Sequence, residues 1–158
     1  MTLRRFPLFA AAALMAVSAV AATPAEAGVT KAVQTADSIT VYLGVVPAAL
    51  TRNHPGDRAG TVMHGGNPSR GIHNIHVMAA LFDRASGARI TDARVQARLL
   101  GERGRRWSVE LKPMTVNGAL TYGGYTSMEA DMNATITVVV ARPGRRRPST
   151  ARFDYIHD

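Results

Sequence analysis

Histidine and methionine are concentrated in one stretch, "TVMHGGNPSRGIHNIHVMAALFD", which runs from Thr61 to Asp83. It contains three of the five histidines and two of the seven methionines of the 158-residue chain. Thioether sulfur suits Cu(I), and imidazole suits copper in either oxidation state. The chain has no cysteine, so a bound metal has to be held by His, Met, Asp, Glu or backbone oxygen. These residue types predict a soft-metal site, with a copper ion as the expected cargo.

Strand parity divides this group of side chains. A strand is expected over residues 72–82, and alternate residues of a strand share a face. His76 and Met78 therefore lie on one face and His73 on the opposite one. His73 could join the other two only if the strand begins with a bulge or begins after His73. The primary predicted metal ligands are His64, on the loop before the strand, His76 and Met78, and the secondary ones are His73 and Met114.

Each primary strand residue also has a purely structural interpretation. Met78 shares its face with Ala80 and Phe82, a pattern that is typical of core packing. His76 lies between two apolar residues, and a buried histidine there can be satisfied by a backbone carbonyl. The sequence leaves open which face of the strand is exposed.

The N-terminal residues 1–27 have the three parts of a secretory signal: Arg4 and Arg5, an apolar run over 6–22, and the small-x-small motif "AEA" at 25–27. This pattern predicts export with cleavage near Ala27. The expected organisation is a signal peptide over 1–27, an N-terminal linker over 28–37 and one domain over 38–158. The expected location is the periplasm. Because the chain has no cysteine, it cannot form disulfides in that oxidising compartment.

Beyond the signal, apolar residues recur with a period of two and are interrupted by turn residues at regular spacing. This pattern predicts an all-β fold, an immunoglobulin-like β-sandwich of seven strands, with a small β-barrel as the alternative. The expected strands are 38–46, 72–82, 90–100, 105–114, 119–128, 134–144 and 150–157. The glycines of "YGGY" are expected to weaken or bulge the fifth of them.

The chain is basic, with a formal net charge of +8 at pH 7 that arginine dominates. Two arginine-rich turns, 101–106 and 143–149, are predicted to be solvated hairpin tips that can attract an acidic envelope partner or, weakly, an anionic membrane surface. No aromatic residues interleave with these arginines to stack bases, so nucleic acid is not an expected partner. The expected oligomeric state is a monomer.

Catalytic motifs are absent from the sequence. There is no cysteine nucleophile, no Gly-x-Ser-x-Gly motif, and no glycine-rich phosphate loop that opens a helix. Acidic residues are too few and scattered for a calcium cage or a carboxylate pair. The chain is therefore not expected to be an enzyme.

Several short motifs follow one another along the chain: an export signal, "HVMAALFDRASGARITDARVQARL", "KPM", "YGGY" and a final apolar hairpin. In this order they resemble the small periplasmic β-sandwich proteins of the YtkA and FixH kind and, more loosely, the CopC copper carriers. The resemblance implies an immunoglobulin-like sandwich with a role near copper handling or cytochrome oxidase assembly. Unlike CopC, a cleaved chain that begins "GVTKAV" has no N-terminal histidine ligand.

Two functional hypotheses follow. The first is an exported metal-binding or metal-delivery protein for copper, with a metal acceptor as its partner. The second is a non-enzymatic adaptor that contacts an envelope protein or an anionic membrane through its long loop, residues 47–71, and its arginine-rich tips. Salt-sensitive association would be typical of the second hypothesis.

Overall fold

The structure is a computed structural model, and it describes residues 28–51, 74–128 and 133–156. The predicted signal peptide, residues 1–27, lies outside the described residues. The described parts of the chain form nine β-strands and one four-residue helix. They are β1 (Gly28–Val29), β2 (Val33–Ala36), β3 (Ile39–Pro47), α1 (Ala48–Thr51), β4 (Asn74–Asp83), β5 (Arg94–Gly101), β6 (Arg106–Val116), β7 (Ala119–Ser127), β8 (Ala134–Ala141) and β9 (Ser149–Ile156).

The strands form one antiparallel sheet in the order β1-β9-β8-β5-β6-β7-β4-β3-β2. The sheet folds over at β6, whose residues 106–111 pair with β5 and whose residues 112–116 pair with β7. One layer therefore contains β1, β9, β8 and β5, and the other contains β7, β4, β3 and β2. The predicted β-sandwich is confirmed. Within the described residues no ladder joins β1 to β2, so the sheet is curled without being a closed barrel.

The seven predicted strands correspond to β3 to β9. The two additional strands lie in residues 28–37, the segment expected to be a linker. β1 pairs with β9 and β2 pairs with β3, and the Thr30 amide donates to the Asp154 carbonyl at 3.1 Å. Both strands are too short to show a periodic pattern, and backbone hydrogen bonds attach them to the edges of the sandwich, so side-chain alternation could not reveal them.

The core lies between the two layers and is filled by alternate residues of the facing strands. On β5, Val95, Ala97 and Leu99 are buried whereas Arg94 and Arg98 are exposed, which is the alternation expected for a strand with one wet face. On β4 the core-facing residues are Ile75, Val77, Ala79 and Leu81, all at most 1% exposed.

The connection after β4 contains a carboxylate that is stabilised in its charged form. Asp83 Oδ1 accepts hydrogen bonds from the Ser86 amide at 3.1 Å, the Ser86 hydroxyl at 3.0 Å and the Ala85 amide at 3.2 Å. Arg142 Nη1 lies 3.5 Å from Asp83 Oδ2. The Ser86 hydrogen bonds, aided by those from Ala85 and Arg142, hold the pKa of the Asp83 carboxyl below its usual value of 3.8.

This shift predicts how stability depends on pH. A folded-state pKa below the unfolded one stabilises the fold above the unfolded pKa, and the stabilisation is lost as the pH falls through the folded pKa. We expect Asp83→Ala to lower the melting temperature near neutral pH and to lose that effect in the acid range below the ordinary aspartate pKa. Thermal unfolding across that pH range measures this, with Asp154→Ala, at an exposed position of β9, as the control. A difference in melting temperature between Asp83→Ala and the unmodified protein that stays constant down to the lowest pH would contradict the lowered pKa of Asp83.

Candidate metal site on the outer face of β4

The two faces of β4 have opposite roles. The ladders from β4 to β3 and β7 run without a break in register, so residues of β4 alternate strictly between the core and the outer face. His76 and Met78 share a face, as parity predicts, and the structure shows that this face points away from the core. Met78 is half-buried there and does not pack between the layers.

His76 is completely buried although it lies on the outer face. Its ring stacks on Tyr125 of β7, with the ring centroids 4.3 Å apart and the planes inclined by 19°. The Tyr125 hydroxyl lies 3.0 Å from the Thr51 hydroxyl at the end of α1, and the Thr51 hydroxyl donates to the Ala48 carbonyl at 2.9 Å. A hydroxyl has one proton to donate, so Tyr125 is the donor to Thr51. Tyr125, which is held by Thr51 of α1, therefore restrains the imidazole that stacks on it.

Gly123 forms a hollow beside the imidazole. A Cβ atom placed on Gly123 would lie 2.8 Å from His76 Nε2 and closer still to Met114 Sδ. Because both atoms lie so close to the same point, His76 Nε2 and Met114 Sδ are also close to each other. Gly123 pairs with Met78 on one side and with Lys112 on the other, so the missing side chain opens a space at the centre of the outer face. The imidazole nitrogen of His76 and the thioether sulfur of Met114 converge in this space.

Only some of the predicted ligands lie close to His76 in the described part of the chain. Met114, a secondary residue of the sequence prediction, is 7% exposed and lies beside His76 through the pairing of β6 with β7 and of β7 with β4. The terminal methyl of Met78 lies 3.5 Å from the Cβ position of Gly44 on β3, on the side of β4 away from Gly123. His64 and His73 lie outside the described residues, and their roles stay predictions.

The donor set limits which metals could bind. Within the described ranges, no three histidine, aspartate or glutamate side chains are grouped in a way that could hold a metal ion. The described residues therefore supply no cluster of carboxylates of the kind that hard cations prefer. One imidazole and one thioether are a soft donor pair, which favours Cu(I).

Sequence reasoning did not identify the framework of this site, although "YGGY" contains it. The glycines were expected to weaken or bulge the strand, but β7 keeps a continuous register with β4 through both of them. Glycine within a strand also marks a close approach of another group. That is its role here, because Gly123 accommodates the imidazole and the thioether.

Among the described residues, no helix is long and apolar enough to cross a membrane. The architecture is that of an antiparallel β-sandwich whose outer face contains a soft donor pair. No family model matches the chain, and no curated protein matches it significantly in sequence.

Solved structures do share the fold. FetP of uropathogenic Escherichia coli strain F11 superposes with a TM-score of 0.62 at 14% identity, covering 82% of this chain and 94% of that one. Copper-reconstituted P19 of Campylobacter jejuni gives a TM-score of 0.62 at 13% identity, covering 83% and 95%. A DUF4426 family protein of Pseudomonas aeruginosa PAO1 gives 0.58 at 14% identity, covering 80% and 97%. These likenesses support the β fold and do not single out the YtkA and FixH proteins.

Proposed function

We propose that this chain is an exported protein that binds copper in the periplasm and delivers it to an acceptor, with His76 and Met114 as ligands. The observation that carries the proposal is the convergence of His76 Nε2 and Met114 Sδ over Gly123. The fold is consistent with it, because copper-reconstituted P19 and a copper-bound FetP variant have a similar architecture.

The surroundings of the two donors suit a soft cation. His76 and Met114 are both buried, so a bound ion would be shielded from water, which favours a singly charged ion with soft ligands over a strongly hydrated divalent one. Stacking on Tyr125 restricts the rotation of the imidazole, so little ordering is needed when the ion binds. Met78 is a third candidate donor on the same face, and His64 and His73 stay candidates from the sequence.

Delivery requires that the ion can leave. A thioether is an uncharged ligand on a flexible side chain, so Met114 can move while His76 keeps its position. Transfer would then proceed by ligand exchange to an acceptor with more or stronger ligands. The proposal contains no catalytic step, in line with the absence of a catalytic motif in the sequence.

Titration of the exported protein with Cu(I), under reducing conditions and against a competing chelator, tests the proposal. We expect His76→Ala and Met114→Leu each to weaken Cu(I) binding by at least about tenfold, since even indirect partners of a metal site contribute about 10–100-fold. Met128→Leu is the matched control, because Met128 is a buried methionine of the core cluster and this substitution also removes one thioether. If Met114→Leu and His76→Ala bind Cu(I) as tightly as Met128→Leu does, these residues are not the ligands.

The adaptor hypothesis makes a different prediction for the same variants. Association with an envelope protein through the arginine-rich tips would survive the loss of His76 and Met114, and it would weaken at high salt. Pull-down from envelope extract at low and high salt with the His76→Ala variant therefore separates the two hypotheses.

A further inference from the structure

The turn between β8 and β9 combines a high density of arginine with a restrained backbone. It spans residues 142–148 and contains Arg142, Arg145, Arg146 and Arg147. The Arg145 amide donates to the Arg142 carbonyl at 3.2 Å, and Gly144 has a φ of 73°. Proline at the second position and a residue with positive φ at the third define a type II turn. Pro143 and Pro148 further limit the conformations of this segment.

The turn borders a cavity of about 560 Å³. All four arginines line the cavity, together with Ser38, Ser149 and Thr150, whose hydroxyl groups can donate hydrogen bonds. Among the described residues that line it, Asp37 is the single acidic one. The cavity is therefore surrounded mainly by hydrogen-bond donors and positive charge.

The charges of the turn are only partly compensated. Arg142 Nη1 lies 3.5 Å from Asp83 Oδ2, which holds one guanidinium in place. Arg145, Arg146 and Arg147 have neither an ion pair nor a side-chain hydrogen bond to any described residue. Like charges so close together repel one another, and an anion with several negative oxygens would relieve this repulsion.

We propose that this cavity binds a phosphate-bearing anion through the arginines of the β8–β9 turn. Guanidinium groups match phosphate oxygens in a bidentate geometry, and the serine and threonine hydroxyls supply additional neutral donors. The phosphate belongs either to a soluble compound or to a lipid headgroup. Three uncompensated arginines favour a multiply charged group, so pyrophosphate is a suitable soluble probe.

This site is separate from the candidate metal site. His76 lies near the beginning of β4, and Asp83, which contacts Arg142 of the turn, lies at its end. At about 3.3 Å per residue, the strand separates these two residues by roughly 20 Å. The turn between β5 and β6 contains Arg103 and Arg105, and Arg106 follows it as the first residue of β6. This turn lies at the opposite end of the sandwich from the β8–β9 turn, because β5 and β8 are antiparallel, with Gly101 paired with Ala134 and Arg94 with Ala141. That turn provides a control with the same loss of charge.

The test compares two triple variants by calorimetric titration with pyrophosphate at constant ionic strength. We expect saturable binding by the unmodified protein and at least about a tenfold loss of affinity for Arg145→Gln, Arg146→Gln, Arg147→Gln, since this variant loses three positive charges and their charge-assisted hydrogen bonds to the anion. The triple variant Arg103→Gln, Arg105→Gln, Arg106→Gln should bind pyrophosphate as the unmodified protein does. Cu(I) binding by the first variant should be unchanged, and melting temperatures confirm that both are folded.

A second measurement identifies the source of the phosphate. Flotation with phosphatidylglycerol vesicles, against phosphatidylcholine vesicles, shows whether a lipid headgroup occupies the cavity, and competition by pyrophosphate shows that the same arginines are used. Vesicle binding that pyrophosphate displaces indicates a headgroup, and pyrophosphate binding without vesicle binding indicates a soluble ligand. Absence of saturable pyrophosphate binding, or equal losses in the two triple variants, would overturn the proposal.

Discussion

Replacement of Gly124 by alanine is expected to lower the free energy of unfolding by about 1–3 kcal/mol, the usual cost of forcing extra volume into a packed region. A Cβ atom there would lie 2.6 Å from the Glu110 carbonyl oxygen, 2.8 Å from Val109 Cγ2 and 3.3 Å from Leu111 Cδ2. The carbonyl belongs to the backbone of β6 at the point where this strand passes from one layer to the other. It can therefore move only if the corner of the sandwich moves with it.

Urea unfolding of Gly124→Ala beside Gly44→Ala measures this effect. Gly44 is also a strand glycine, but the nearest atom to its Cβ position is Met78 Cε at 3.5 Å, an ordinary van der Waals distance. Gly44→Ala should therefore leave stability close to that of the unmodified protein. If the two variants unfold at the same urea concentration, the close approach of β6 to Gly124 is not a significant constraint.

The adjacent substitution, Gly123→Ala, is expected to affect metal binding instead of the fold. The atoms nearest to this Cβ position, Met114 Sδ and Cε and His76 Nε2, all belong to side chains. The end of the Met114 side chain is flexible and can turn away, whereas the buried imidazole has to shift slightly, because His76 Nε2 is 2.8 Å from the Cβ position. Both clashes involve side chains and neither involves the backbone, so the protein should still fold. The thioether then no longer lies beside the imidazole. We expect Cu(I) affinity to fall by at least about tenfold, as it does when support for a metal site is lost.

Cu(I) competition titrations and melting curves on the same samples separate these effects. Gly44→Ala is again the control, because it adds the same methyl group to the outer face without approaching His76. If Gly123→Ala keeps full Cu(I) affinity whereas His76→Ala loses it, His76 would act with a donor other than Met114. If the melting temperature of Gly123→Ala falls as far as that of Gly124→Ala, the hollow supports the packing of the sheet and has no specific role in binding.

Much of the fold could be predicted because side-chain alternation depends only on local backbone geometry. The alternating residues from Arg94 to Leu100 predict a strand with one wet face, and β5 has that form. The same parity predicts that His76 and Met78 share a face of β4. For β4, however, both faces are largely apolar in sequence, so the pattern could not indicate which of them lies against the core.

The face of β4 that packs against the core was determined by the other layer of the sandwich. Ile75 and Val77 belong to the buried core cluster together with residues of β5 and β8, and this leaves His76 on the outer face. The segment 28–37 shows a similar limit of local patterns. Its two short strands form by backbone pairing with β9 and β3, and a strand of two to four residues has too little side-chain alternation to be recognised.

The sequence by itself determined the all-β class, the positions of seven strands, the soft donor types and the shared face of His76 and Met78, because each of these depends on residue type or local spacing. Only the tertiary structure decided that Met114 is the methionine beside His76. Their contact depends on the register of β6 on β7 and of β7 on β4, and on the hollow at Gly123. Such contacts between residues distant in sequence arise from strand pairing and packing, which no local pattern specifies.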